Sequence, residues 1–201
     1  GDLVGEPPHK WLANHGPERF RLGVDPWLHT SAEVRKLQSA LAAKNGSVVF
    51  LTRNPLDEIW TGRPAEPLGK VTIQYDAQAG VLATAKLAAM ASGLAAFGAD
   101  AVVLTDPSSV AWAFNIRGAD VPHTPHPLAR AIVFADGRTE IFLDKEKTGI
   151  EQRAYLAQMA TQLSPAEFVT RLEEIAGAGM AVMLDPELAP YVLFGLIEKA
   201  G

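Results

Sequence analysis

One pattern occurs twice in this chain and constrains its fold more than any other. Leu22-Gly23-Val24-Asp25-Pro26-Trp27-Leu28 is matched by Val182-Met183-Leu184-Asp185-Pro186-Glu187-Leu188. Each is a short apolar run, an Asp-Pro turn and the start of a helical stretch. Apolar runs of this length followed by helix-period stretches read as strand–turn–helix units. Such units build α/β folds. The tails match as well, Leu41-Ala42-Ala43-Lys44-Asn45-Gly46 with Leu196-Ile197-Glu198-Lys199-Ala200-Gly201. Each copy also follows a proline-opened helix with an aromatic three residues on, Pro8 with Trp11 and Pro165 with Phe168. Two accounts stand at this point. Such units are common enough for chance likeness, or the chain holds two copies of one domain, the first lacking its front half.

Around these units the pattern predicts further elements. Arg19 to Val24 alternates as a strand. Ser31 is a candidate cap for a helix with Val34, Leu37 and Leu41 on one stripe. Asn45-Gly46 ends it, and Val48 to Leu51 reads as a short buried strand. Asn54 to Lys70 carries Pro55, Pro64 and Pro67 with Gly62 and Gly69 and reads as a linker. Gly80 to Phe97 reads as one long helix whose only charge is Lys86. Ala101 to Leu104 is a strand, and Asp106 caps a helix with Pro107 in its first turn. Leu128 to Ala135 and Thr139 to Leu143 are strands joined by an Asp136-Gly137-Arg138 hairpin turn. Pro165 to Ala176 reads as a helix, Met180 to Leu184 as a strand and Glu187 to Lys199 as a helix. The expected domains are 1–68, the late part of a first domain with its linker, and 69–201, a second domain.

Composition removes several function classes. The 201 residues are 48% hydrophobic and 20% charged, which is ordinary for a globular chain. No cysteine is present, so disulfides, thiolate metal sites and cysteine nucleophiles are excluded. A reducing compartment, the cytoplasm, is the expectation. A net charge of -5 argues against a nucleic-acid partner. The longest apolar stretch, Leu87 to Ala99, falls short of the about 18 residues a membrane span needs, so no membrane partner is expected. Gly1 to Pro8 has neither the basic region nor the apolar run of a signal peptide. The chain lacks an initiator methionine and reads as processed or cut from something longer.

The search for chemistry finds no Gly-x-Ser-x-Gly, no phosphate loop, no His-Glu-x-x-His and no dinucleotide fingerprint. The densest polar cluster is Asn115-Ile116-Arg117-Gly118-Ala119-Asp120-Val121-Pro122-His123-Thr124-Pro125-His126. Loops on rigid scaffolds often carry function. Asp120, His123 and His126 could face one metal ion, although the surrounding prolines impose an extended path that need not bring them together. Arg117 beside Asp120 reads either as an ion pair or as a fork of donors presented to a carboxylate. His9, His15 and His29 read as solvated, and Asp57 with Glu58 as a charged face. Trp60 reads as packing onto a neighbouring domain. Ser108 and Ser109 read as a helix start rather than as nucleophiles.

The run Ser109-Val110-Ala111-Trp112-Ala113-Phe114-Asn115-Ile116-Arg117-Gly118-Ala119-Asp120-Val121-Pro122-His123-Thr124-Pro125 resembles the middle domain of the three-domain Xaa-Pro aminopeptidases (aminopeptidase P, metallopeptidase family M24). Arg21 to Pro26, Asn54 to Trp60 and Arg63-Pro64 resemble the late part of that family's first domain. The resemblance implies an α/β fold, a mixed β-sheet flanked by helices of the creatinase/prolidase N-terminal type with a ribonuclease H-like motif, partly duplicated. It thereby accounts for the repeated Asp-Pro unit. It also implies that the family's catalytic domain, with two divalent metal ions (commonly manganese) on two Asp, one His and two Glu, lies outside this sequence. None of the matched positions is such a ligand, so no catalytic and no metal residue is assigned here.

The resulting expectation is a non-catalytic region of a metal-dependent exopeptidase that releases an N-terminal residue preceding proline. This region would cover the cleft and limit access, with Asn115, Arg117 and His123 facing the cleft. Its partners would be proline-containing peptides, reached through the catalytic domain. Two competitors remain. One is a stand-alone creatinase-like module that binds peptides or proteins. The other is an assembly role, in which apolar surface left by the missing strands drives a homodimer.

Overall fold

Thr30 lies in extended backbone before Ser31, and its hydroxyl accepts the Glu33 N–H while Glu33 reaches back to the Thr30 N–H. This reciprocal capping box starts the helix Ser31–Ala42, one residue ahead of the expected Ser31 cap. The computed structural model describes residues 4–200. Gly1 to Leu3 and Gly201 lie outside the described residues, and with them part of the leader reading and the end of the second tail.

Along the chain, α1 is Pro8–His15, β1 Arg21–Val24, α2 Ser31–Ala42, β2 Ser47–Phe50 and α3 Pro55–Ile59. Then come β3 Thr72–Ile73, α4 Asp76–Ala79, α5 Ala83–Phe97, β4 Ala101–Leu104, α6 Pro107–Ala113 and β5 Ile116–Arg117. The rest are β6 Arg130–Phe134, β7 Thr139–Phe142, α7 Ile150–Leu156, β8 Thr161–Leu163, α8 Phe168–Gly177, β9 Val182–Met183 and α9 Tyr191–Ala200.

These elements form two compact units, Gly1–Pro64 with Asp185–Phe194, and Ala65–Leu184 with Gly195–Gly201. In the first, β1 and β2 pair in parallel. Val34, Leu37 and Leu41 of α2 are buried, as the apolar stripe predicts. Strand β2 is not buried as expected, and Phe50 is 38% exposed. Its ring stacks on Tyr191 at 4.6 Å instead. The two Asp-Pro turns meet within this unit. The Val192 N–H donates to Pro26 O and the Ala32 N–H to Pro186 O, with Thr30 and Pro190 bridging between them. Equivalent atoms of the repeated motif thus exchange equivalent bonds.

The second unit is built on a five-stranded sheet of order β8-β7-β6-β4-β9. It is mixed: β4 and β6 are antiparallel, as are β6 and β7, whereas β7–β8 and β4–β9 are parallel. Strand β6 alternates its side chains between the two faces. Ala131 and Val133 join a core with Leu87, Val110, Phe114 and Leu156. Phe142 of the neighbouring β7 meets Phe168 of α8 edge-on at 5.1 Å. The Arg171 guanidinium of α8 holds Glu140 of β7 at 2.8 Å. The chain is therefore an α/β fold with a mixed sheet flanked by helices.

Several elements differ from expectation. The helix expected from Gly80 begins at Ala83, because Gly80 takes φ 74° and ends a separate short helix, α4, that was not expected. The linker contains α3, started by the Asn54 side chain on the Leu56 N–H with Pro55 in the first turn. Pro165–Glu167 is a 3-10 turn ahead of α8. The last helix begins at Tyr191, because Asp185 to Pro190 is spent on the turn. Strands β3, β5 and β8 are two or three residues long, too short to show a period.

Candidate functional site

The Asn115–His126 segment is set by the end of α6. Asp106 caps this helix by accepting the Ser109 N–H at 2.8 Å, and it also holds the Ser108 and Ser109 hydroxyls. Burial raises the Asp106 carboxyl, but these serine hydrogen bonds outweigh it and hold it below its ordinary value. Both serines are thus occupied as a helix start. Helix α6 buries Val110, Ala111 and Ala113 and ends at Phe114.

Asn115 then turns the chain with φ 51°, a left-handed conformation that asparagine tolerates better than most residues. It is 2% exposed and fully engaged. Its Nδ2 donates to Val81 O at 2.8 Å, and its backbone O accepts from Gln74 N at 2.7 Å. Its Oδ1 accepts from Lys86 Nζ at 2.6 Å. Lys86 also donates to Trp112 O at 2.8 Å and lies 4.4 Å from the centre of the Trp112 ring. Burial first, and the Arg117 charge second, push the Lys86 ammonium below its ordinary value. Lys86, the lone charge on an alanine-rich helix, is a site residue the sequence reading left unassigned. Its isolation there was the available signal.

Arg117 pairs with Thr72 in the β3–β5 ladder. Its Nη1 donates to Ile116 O at 2.8 Å and reaches Ala111 O at 3.5 Å. Arg117 and Asp120 do not form the expected ion pair. Asp120 Oδ2 instead takes Lys147 Nζ at 2.8 Å and the Leu128 N–H at 2.6 Å, and Oδ1 takes the Gly69 N–H at 2.9 Å. The two side chains are 0% and 6% exposed, so this is a buried clamp across the base of the loop. Gly118 closes the same base: a Cβ there would lie 2.5 Å from Pro127 Cα and N.

His123 is exposed, with φ 61° beside the Val121–Thr124 bridge, and His126 is half-buried. Asp120 is buried against Lys147, so the three candidate ligands do not converge. Among the described residues no group of His, Asp and Glu is placed to hold a metal ion. The structure brings Asn115 and Arg117 together around Lys86 and leaves His123 apart. Beside them an apolar pocket of about 350 Å³ is lined by Met90, Leu104, Ser108, Ser109, Trp112 and Ala113. Trp60, expected to pack, is 54% exposed. Asp57 is held by Arg63 at 2.7 Å.

A mixed sheet with this order, flanked by helices and carrying a loop clamped at its base, defines an α/β domain. Residues 62–201 match the creatinase/prolidase N-terminal domain, and the chain belongs to that family. It is 30% identical to Aminopeptidase P2 of Arabidopsis thaliana over 194 residues, 95% of this chain and 27% of that protein. It is 34% identical to a probable Xaa-Pro aminopeptidase P of Arthroderma gypseum over 148 residues, 73% of this chain and 23% of that protein. The fold superposes on the X-prolyl aminopeptidase of Caenorhabditis elegans with a TM-score of 0.82 and 25% identity, over 94% of this chain and 32% of that one. That protein is described as a cytosolic enzyme with a di-nuclear active site. The chain thus spans about a quarter of the length of these curated relatives. No helix among the described residues is long and apolar enough to cross a membrane.

Proposed function

We propose that this chain is the non-catalytic N-terminal and middle region of a cytoplasmic Xaa-Pro aminopeptidase, covering the cleft of the catalytic domain and limiting it to short peptides. The domains within it run 1–68 and 69–201, the first a partial copy of the second. The observation that carries the reading is the family match over 62–201 together with fold likeness to an X-prolyl aminopeptidase across nearly the whole chain. The reciprocal bonds between the two Asp-Pro turns support the duplication. In the parent enzyme two divalent metal ions, manganese by resemblance, would activate water and polarise the scissile carbonyl. This chain contributes shape and charge to the cleft. Asn115 and Lys86 hold the loop, while Arg117 and His123 face the substrate.

The test is His123→Glu in the longer enzyme, with kcat/KM measured on an Xaa-Pro peptide. His123 is exposed, and a several-fold loss through KM is expected, with the melting temperature read alongside because the left-handed φ of 61° disfavours glutamate. Unchanged kinetics would remove the loop from the cleft. A homodimer of this chain is checked by light scattering, in which a clean monomer at high concentration excludes it.

A further inference from the structure

The cluster around Arg117 brings two cations together, Lys86 and Arg117, and among the described residues no carboxylate pairs with either. Lys86 is already spent: two of its protons go to Trp112 O and Asn115 Oδ1, and its remaining side faces the Trp112 ring. Arg117 is different. Its Nη1 alone meets the Ile116 and Ala111 carbonyls. Nε and Nη2 have no protein partner among the described residues, and the residue is only half-buried.

A guanidinium whose only task is to satisfy carbonyls has no need of that second edge. The Nε/Nη2 edge is a side of arginine that can grip a carboxylate through two parallel hydrogen bonds. Here the plane is oriented in advance. The ladder with Thr72 sets the backbone, two carbonyls hold Nη1, and the left-handed turn at Asn115 fixes the approach. Pre-orientation of this kind removes much of the entropic cost of binding. Lys86 adds a second positive charge in a partly dehydrated setting, where charge acts more strongly than in water.

The geometry points to Arg117 as the receptor for a carboxylate that these 201 residues do not supply, gripped side-on by Nε and Nη2, with Lys86 reinforcing the charge. Resting on the cleft-facing reading above, the carboxylate is the C-terminal group of a short peptide substrate. The same chemistry could come from an acidic side chain elsewhere in the longer protein, and the experiment separates the two.

In the longer enzyme, kcat/KM is measured on an Xaa-Pro-Xaa tripeptide as the free acid and as the C-terminal amide, for the native protein, Arg117→Gln and Arg117→Lys. Melting temperatures are read for the same variants in the longer protein and in the 201-residue chain. If the peptide supplies the group, the native enzyme prefers the acid by about 10- to 100-fold. Arg117→Gln then loses that preference through the acid alone, and Arg117→Lys recovers only part of it, because a point charge lacks the fork. If the protein supplies it, acid and amide are cleaved alike, and Arg117→Gln lowers the melting temperature of the longer protein but not of the 201-residue chain. That result keeps the carboxylate receptor and replaces the peptide as its source. An unchanged acid-to-amide ratio together with equal melting shifts in both chains overturns the proposal. His123→Glu kinetics test the cleft reading separately, so its failure and this one are distinguishable.

Discussion

Replacing Asp120 by alanine tests whether the loop is held by its buried clamp. The carboxylate receives Lys147 Nζ and the Gly69 and Leu128 N–H groups, and both charged side chains are almost wholly buried. Removing one partner of a buried pair costs about 3–5 kcal/mol, because the other charge stays behind unpaired. Asp120→Ala also orphans two backbone N–H groups, at about 1–3 kcal/mol each when nothing replaces the acceptor. These losses overlap, so about 5 kcal/mol is the working figure. Lys147→Met leaves a carboxylate that still accepts two N–H bonds, so its cost falls at the low end, about 3 kcal/mol. At about 2–4 °C per kcal/mol for a chain of this size, Asp120→Ala lowers the melting temperature by roughly 10–20 °C. The assay is urea denaturation followed by circular dichroism on both variants and on the double variant. The double variant removes both charges and should cost less than the two single losses added together. Equal losses for the two single variants, or an Asp120→Ala loss under about 1 kcal/mol, would refute the reasoning, since that is the behaviour of a solvated surface pair.

Three further outcomes follow from the same geometry. Gly118→Ala forces a Cβ into Pro127 and should cost at least about 2 kcal/mol, read by thermal melting; a melting curve like that of the native chain contradicts it. Asp106→Ala removes the α6 cap at about 1 kcal/mol near pH 7. The folded carboxyl lies below its ordinary value, so its contribution is present above about pH 4 and fades as pH falls through the folded value. The gap between native and variant should therefore narrow in acid, and a pH-independent gap sinks the account. Lys86→Met loses two hydrogen bonds and the Trp112 contact. The folded Lys86 titrates below its unfolded value, so in that alkaline window the unfolded chain binds more protons and native stability gains with pH. The native-to-Met difference should widen from pH 7 toward 10 in parallel urea titrations.

Elements with a strong local cause were legible in the sequence. The stripe Val34-Leu37-Leu41, the Asp106-Pro107 start of α6 and the Asp136-Gly137 hairpin each arise from neighbours in sequence. The start of α5 falls later than the Ala-rich run suggests, because helix propensity extends back to Gly80 and only its left-handed φ marks it as the end of α4. Strands β3 and β5 exist through their partner, which no window of sequence contains. In the loop, proximity in sequence misled the pairing. Asp120 lies near Arg117 along the chain and yet is buried against Lys147, whose distance along the chain hid it. Lys86 entered the cluster the same way, from a helix that passes beneath the turn.

The segment Asp185–Phe194 belongs with the first unit although almost the whole second unit precedes it in the chain. This has a consequence for the timing of synthesis. Helix α2 and strands β1 and β2 leave the ribosome early, but the carbonyl of Pro26 and the ring of Phe50 await Val192 and Tyr191, made far later. Closing such a long intervening stretch carries an entropic cost that the nascent chain cannot meet from local contacts. The first unit by sequence therefore begins early but cannot close until almost all of the second has been synthesised.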